Sequence, residues 1–407
     1  MKQFFKNALL FDGKGGAPFP GWLLTEKGHI TGLGPGELDF IPKDSKIWNL
    51  DGKTLLPGLI DCHVHLGLDG SADPALAIGT ESEASLALSM GQRAIRTLAA
   101  GFTTIRDLGC KGHVDLTLKK AVQQGDVPGP RILCAGRFIC MTGGHGWQFG
   151  VEADGPAEVA KAARKELKAG ADVIKLMATG GICTEGVEPG QAQLGLDELK
   201  AAVDEAHKAG RKSAAHAQGL TGIKNALWAG IDSIEHGTYL DEEAVGLMLE
   251  KGVWLVPTLS AGDNMIRNGK EAGIPAFAVD KSMAHRKPRL KSLVLAHKAG
   301  VKIAMGTDAG TPCNKHGENA RELCLMVDNG FTPQEALTAA CHGAAEVLGL
   351  DAEIGSLEPG KRADLLIVNG SPLENIGLLT LPENILGVFK DGALAAGSWV
   401  KEVGKGS

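Results

Sequence analysis

The sequence predicts an α/β fold: a (β/α)8 barrel of the TIM type, joined to a small β-domain built from both chain ends. Three observations predict it. From Leu56 to Gly349, short β-branched or apolar runs alternate with Ala-rich, charged stretches of helical period. Eight such apolar runs can be counted. Outside those limits the texture changes to short strand-like pieces with turns, and the two flanks match.

In chain order the barrel strands read LPGLIDCHVHL from Leu56, FTTIRDLG from Phe102, RILCAG from Arg131, DVIKLMA from Asp172, KSAAHA from Lys212, SIEHG from Ser233, WLVPTL from Trp254 and KIAMGTDAG from Lys302. Helical connections lie between most of them. LDELKAAVDEAHKAG, from Leu196 to Gly210, is one, closed by a glycine stop signal. The flanks contribute NALLFDGKGG and GWLLTEKGHITGLGPG before the barrel and RADLLIVNG and GVFKDGALAAG after it. The expected division is residues 1–55 and 353–407 for the composite β-domain and 56–352 for the barrel.

A chain of 407 residues suits one large barrel with small additions. Its 43% hydrophobic and 22% charged residues are those of an ordinary globular protein, and 57 glycines point to many tight turns. A formal net charge of -6 leaves no broad basic face for nucleic acid or a membrane surface, so the expected partner is a small molecule or dipeptide. A homo-oligomer is left open. Eight cysteines without a CxxC pair suggest reduced thiols, and Cys62 reads as core packing. The N-terminal MKQFFKNALLFDGKGG has no sustained apolar h-region, and no run approaches membrane-spanning length. The expectation is a cytoplasmic protein.

His63 and His65 in DCHVH are two apart on a strand, so both side chains share one face and can chelate one ion. Barrel enzymes place their catalytic groups at this C-terminal end of the strands. The same position recurs at His216, His236 and Asp308, and Lys175 lies within DVIKLMA. Singly, each has a plain structural reading: a satisfied histidine, a capping aspartate, a lysine snorkelling to the barrel mouth. Jointly they fall on strands one, four, five, six and eight, which barrel closure brings around one cavity.

LLPGLIDCHVHLG, VIKLMATGG, AAHAQG, SIEHGTYLD, MGTDAGTP and GSLEPGKRADLLIV together resemble the amidohydrolase superfamily, in order and over nearly the whole chain. The resemblance implies a metal site of His63, His65, Lys175, His216, His236 and Asp308. It further implies that Lys175 is a CO2-derived carbamate bridging two divalent ions, Zn2+ first, with Mn2+, Co2+ or Fe2+ as alternatives. Burial lowers the pKa of a lysine and so supplies the neutral amine that adds CO2. His63, His65 and Asp308 would hold one ion, and His216 and His236 the other. A hydroxide between ions about 3.5 to 4 Å apart would attack the amide, with Asp308 passing its proton to the leaving amine. His145, in the Gly-rich loop MTGGHGW, is by the same resemblance a contact to the tetrahedral oxyanion or a substrate carboxylate, or else a loop histidine in solvent. Tyr239, three residues after His236, either reaches the pocket or packs in an amphipathic core. Arg106 and Asp107 are expected to pair structurally near strand two, and Glu318 to open a helix.

The ATGG loop, GGHG and IEHG look most like the imidazolonepropionase, prolidase and cationic-residue carboxypeptidase group. Lys175 argues against imidazolonepropionase itself, which uses one metal and lacks that lysine. The implied activity is hydrolysis of dipeptides or N-acyl amino acids. Gln218 departs from the prolidase-like pattern, which has a substrate-binding tyrosine there, and so puts proline specificity in doubt. A mononuclear cyclic-amide hydrolase or deaminase is the alternative. A non-catalytic scaffold barrel is the third reading, opposed by the filled ligand positions.

Overall fold

The computed structural model describes residues 1–38 and 41–403. Strands from both ends of the chain share one sheet. Lys2–Leu10, Phe19–Glu26, His29–Pro35, Ser45–Asn49 and Thr54–Pro57 come from the N-terminal side, and Leu365–Val368, Ile385–Lys390 and Ala393–Ala396 from the other. Thr54–Pro57 is the joint: Thr54 and Leu55 run parallel to Leu9 and Leu10, while the whole strand runs antiparallel to Leu365–Val368. Phe5, Leu10, Leu23, Leu55, Leu365, Ile367 and Phe389 fill its core. The rings of Phe5 and Phe389 meet edge to face at 5.2 Å, a favoured aromatic geometry.

The run beginning at Leu56 therefore serves two sheets. It divides at Gly58, where a Cβ would collide with the side chain of Thr103. Beyond it, Leu59–Val64, Phe102–Asp107 and Arg131–Cys134 pair in parallel. So do Val173–Met177, Lys212–Ala217, Ser233–His236 and Trp254–Val256. A backbone bond links these two sets, from Asp172 N–H to the Cys134 carbonyl at 2.8 Å, and the short strand Ile139–Cys140 pairs with the second set, Ile139 opposite Leu176.

The predicted eighth strand forms only isolated bridges, Ile303 to Leu255 and Ala309 to Val64. Its regular ladder is interrupted by a side chain. The buried Asp61 carboxylate takes the Thr307 N–H at 3.0 Å and its hydroxyl at 2.6 Å. At Gly306 a Cβ would collide with Val256, so only glycine lets the segment lie this close to its neighbours. Even so, Cys62 N–H reaches Met305 O at 3.0 Å and Asp308 N–H reaches His63 O at 2.7 Å.

The helices lie against these strands through apolar stripes. Leu196–Lys208 buries Leu199, Ala202, Val203 and Ala206, the i, i+3, i+4, i+7 face of an amphipathic helix. Leu199 and Val203 each contribute roughly 1.5–3 kcal/mol by leaving water. Two longer connections follow Trp254–Val256: the helix Leu259–Asn268 and the 24-residue helix Ala276–Ala299, which carries Arg289 inward. Among the described residues no helix is long and apolar enough to cross a membrane, and all eight cysteines are free thiols.

Candidate active site

His63 and His65 stand on one side of their strand, with ring centroids 5.3 Å apart, and His236 faces His63 at 5.2 Å. The protein fixes one nitrogen of each ring. His65 Nδ1 lies 3.0 Å from the Gly109 carbonyl oxygen, and His216 Nε2 lies 2.9 Å from that of Gly180. A carbonyl only accepts, so those nitrogens carry the protons, and Nε2 of His65 and Nδ1 of His216 keep bare lone pairs. His63 Nδ1 donates to Glu235 Oε2 at 2.9 Å. His236 Nδ1 donates to Thr258 Oγ1 at 2.6 Å, the threonine hydroxyl being directed to the Pro257 carbonyl at 2.8 Å. Burial keeps all four rings neutral, pushing His65 down to about 4 and the other three well below the usual histidine range. Neutral rings locked in one tautomer by a second partner are ready metal ligands.

Asp308 Oδ1 lies 3.4 Å from Nε2 of both His63 and His65, and one ligand atom from each of the three falls within 4.8 Å of the others. This His-His-Asp cluster can hold a divalent cation. Burial raises the Asp308 carboxyl to about 7, with the neighbouring Lys175 and Arg289 charges opposing the rise. Two of these residues sit in the left-handed backbone region, His236 at φ 72° and Asp308 at φ 57°. Such conformations are uncommon for residues other than glycine and gather at functional sites. In a regular strand Glu235 and His236 would point to opposite faces. The left-handed turn at His236 lets both reach the His63 ring.

Lys175 occupies the middle of Val173–Met177, opposite Ala214. Its side chain is 1% exposed and its Nζ has no hydrogen-bond partner. Burial lowers its pKa to about 8, although Glu235 and Asp308 pull the other way. An unpartnered buried amine beside four bare imidazole nitrogens and a carboxylate is a donor set that fits divalent cations better than it fits a resident ammonium.

These residues floor a cavity of about 550 Å3, a size usual for small-molecule sites. Leu68, Phe138, Phe149, Ile182, Met265 and Phe277 contribute apolar walls. His145 and Gln218 both line it. His145 is positioned by the loop after Lys175: its Nδ1 is 2.8 Å from Thr184 Oγ1 and its backbone N–H donates to Gln193 Oε1 at 2.9 Å. The ring lies directly on Gly181, where a Cβ would collide with it. Burial brings His145 down to about 3, so it acts as a neutral group. Gln218 accepts the Thr238 hydroxyl at 3.2 Å.

Tyr239 is not brought to this cavity. It borders a separate surface hollow with Lys287 and Lys291, and its ring meets His285 edge-on at 5.6 Å. Arg106 and Asp107 do not pair, because adjacent strand residues point apart. Arg106 turns inward to Glu235 Oε1 at 2.8 Å, while Asp107 accepts the N–H groups of Leu66 and Gly109. Glu318 precedes its helix, which starts at Arg321. It is Glu322, one turn later, that is buried, accepting the N–H groups of Leu259 and Ser260 at 2.7 Å each. Sequence reading missed Glu235, Thr184, Thr258, Glu322 and Arg289. Only Glu235 carried a local signal, an acid next to a strand-end histidine.

Histidines and an aspartate converging at the C-terminal ends of parallel strands, beside a buried lysine, define a metal-assisted hydrolase site of the amidohydrolase type. The chain belongs to the amidohydrolase family, whose profile matches residues 54–395. Its relatives place it in the imidazolonepropionase- and prolidase-like part of that superfamily. It is 35% identical over 377 residues to an ochratoxinase from Aspergillus niger, covering 84% of this chain and 76% of the relative. An imidazolonepropionase from Rhizorhabdus wittichii is 28% identical over 390 residues, covering 85% and 87%. The crystal structure of a Xaa-Pro dipeptidase with methionine bound in its active site superposes with a TM-score of 0.89 at 35% identity, covering 98% of this chain and all of the other.

Proposed function

We propose that the protein is a binuclear metal-dependent amide hydrolase acting on dipeptides or N-acyl amino acids, built on a (β/α)8 barrel with a composite β-domain. The observation that carries this reading is Lys175, a buried amine with no partner inside a ring of prospective ligands. As a carbamate it would bridge the ions, which His63, His65 and Asp308 would hold on one side and His216 and His236 on the other. When bound, such ions, Zn2+ first among them, lower the pKa of water and polarise a carbonyl.

The chain's own residues do the remaining work. Asp308, whose carboxyl is raised to about 7, is suited to take a proton from the attacking water and deliver it to the departing nitrogen. Glu235, Gly109, Gly180 and Thr258 keep the four rings from rotating. His145 donates to the oxygen that becomes the tetrahedral oxyanion, a role open to a neutral, oriented imidazole. The apolar walls hold the body of the substrate away from water, and Gln218 contacts it by hydrogen bonding. A small-molecule substrate and a cytoplasmic setting accord with the charge and the free thiols.

Metal analysis with a screen of dipeptides and N-acyl amino acids, following amine release, tests the reading. About two ions per chain and amine release are expected. The His63, His65 and Asp308 cluster alone suffices for one ion, which favours the mononuclear alternative if Lys175→Ala stays active with one ion or if ammonia is released.

A further inference from the structure

Arg289 is a second buried cation without a partner. It comes from the helix Ala276–Ala299 and is 7% exposed. Its Nε is fully enclosed and unbonded, and no hydrogen bond engages its guanidinium among the described residues. Of the two acids that attract it, Glu322 is already engaged, and Asp308 faces the histidines. Glu322 accepts the Leu259 N–H, the Ser260 N–H and the Ser260 hydroxyl, and Asp308 Oδ1 stands 3.4 Å from the bare Nε2 of both His63 and His65 as a prospective metal ligand. The guanidinium lies across Gly262, where a Cβ would collide with Nη1, and both residues line the cavity.

A lysine in that predicament can shed its proton. An arginine cannot, so its charge needs an anion brought by something else. The cavity it lines also has apolar walls from Met265, Phe277 and Ala278, which strengthens a charge-assisted bond and disfavours a hydrated ion. We propose that Arg289 is the specificity residue that holds the free carboxylate of the substrate, restricting the enzyme to amides whose amine or acyl part carries such a group on an otherwise apolar body. This rests on the amide-hydrolase reading above.

The test compares hydrolysis of an N-acyl amino acid with that of its carboxamide by metal-replete wild type, Arg289→Met and Gly262→Ala, and measures binding of the N-acyl acid by calorimetry. Wild type is expected to favour the acid about 100-fold in kcat/KM, mainly through KM. Both variants are expected to lose that preference with metal content unchanged. Gly262→Ala keeps the charge but displaces the guanidinium, and so reads the role even where Arg289→Met fails to fold. A wild type indifferent to the carboxylate, or an Arg289→Met protein that keeps the preference, overturns the proposal. If wild type cleaves no amide at all, the hydrolase reading fails separately. Calorimetry then decides: acid binding lost in the variants upholds the anchor, and equal binding overturns it.

Discussion

Arg106 and Lys175 are equally buried, each 1% exposed, yet they live in opposite circumstances. Arg106 lies deep between the strands with its donors spent. Its Nε reaches the Cys62 carbonyl at 2.5 Å, Nη1 reaches Ser233 Oγ at 3.2 Å and Nη2 reaches Glu235 Oε1 at 2.8 Å. Lys175, toward the histidines, has none. A satisfied buried cation is scaffold, whereas an unsatisfied one costs free energy that folding alone does not return. The difference locates chemistry at the rim and stability beneath it, with Glu235 joining the two layers through His63.

The comparison breaks most sharply at Lys175. Lys175→Ala is expected to lose metal and to lower turnover by about 10^3-fold or more, while unfolding at nearly the wild-type temperature. Elemental analysis, initial rates and a melting curve check it. Arg106→Met should do the reverse, losing about 3–5 kcal/mol of stability in denaturant titration because the buried Glu235 carboxyl loses its guanidinium partner. Glu235→Gln, which bridges the layers, should weaken metal binding about 10–100-fold in chelator competition, since it loosens the hold on His63 Nδ1. The smallest effect sharpens the contrast by pH. With a Lys175 pKa of about 8, only the neutral amine adds CO2. Reactivation of CO2-stripped protein at fixed dissolved CO2 should therefore quicken about tenfold per pH unit below that value and level off above it. A flat profile would mean that Lys175 is not the group being modified.

Much of the rim was legible in the sequence because each candidate ligand lies within or at the end of a run read as a strand, where spacing and chain order carry the information. His63 and His65 needed only the two-residue period, and His216, His236, Asp308 and Lys175 needed the order of the strands. What escaped depends on contacts between distant segments. Arg289 lies on a helix face with no local motif, and Thr184 matters only because its loop folds onto His145. Glu235 was hidden by the rule of alternation itself, which the left-handed backbone at His236 overrides. The eighth strand was recognised by composition, but no sequence pattern foretold that the Asp61 side chain would replace its ladder. Tyr239 shows the converse: proximity to His236 in sequence did not bring it to the same cavity.

In the reading proposed above, Lys175 becomes an anion between two ions. Carbon-13 spectroscopy of protein prepared with labelled bicarbonate, with metal counted on the same sample, tests it most directly. A carbamate carbon is expected in wild type and absent from Lys175→Ala, with about two ions per chain. Active wild-type protein with no carbamate signal and a single ion would contradict it.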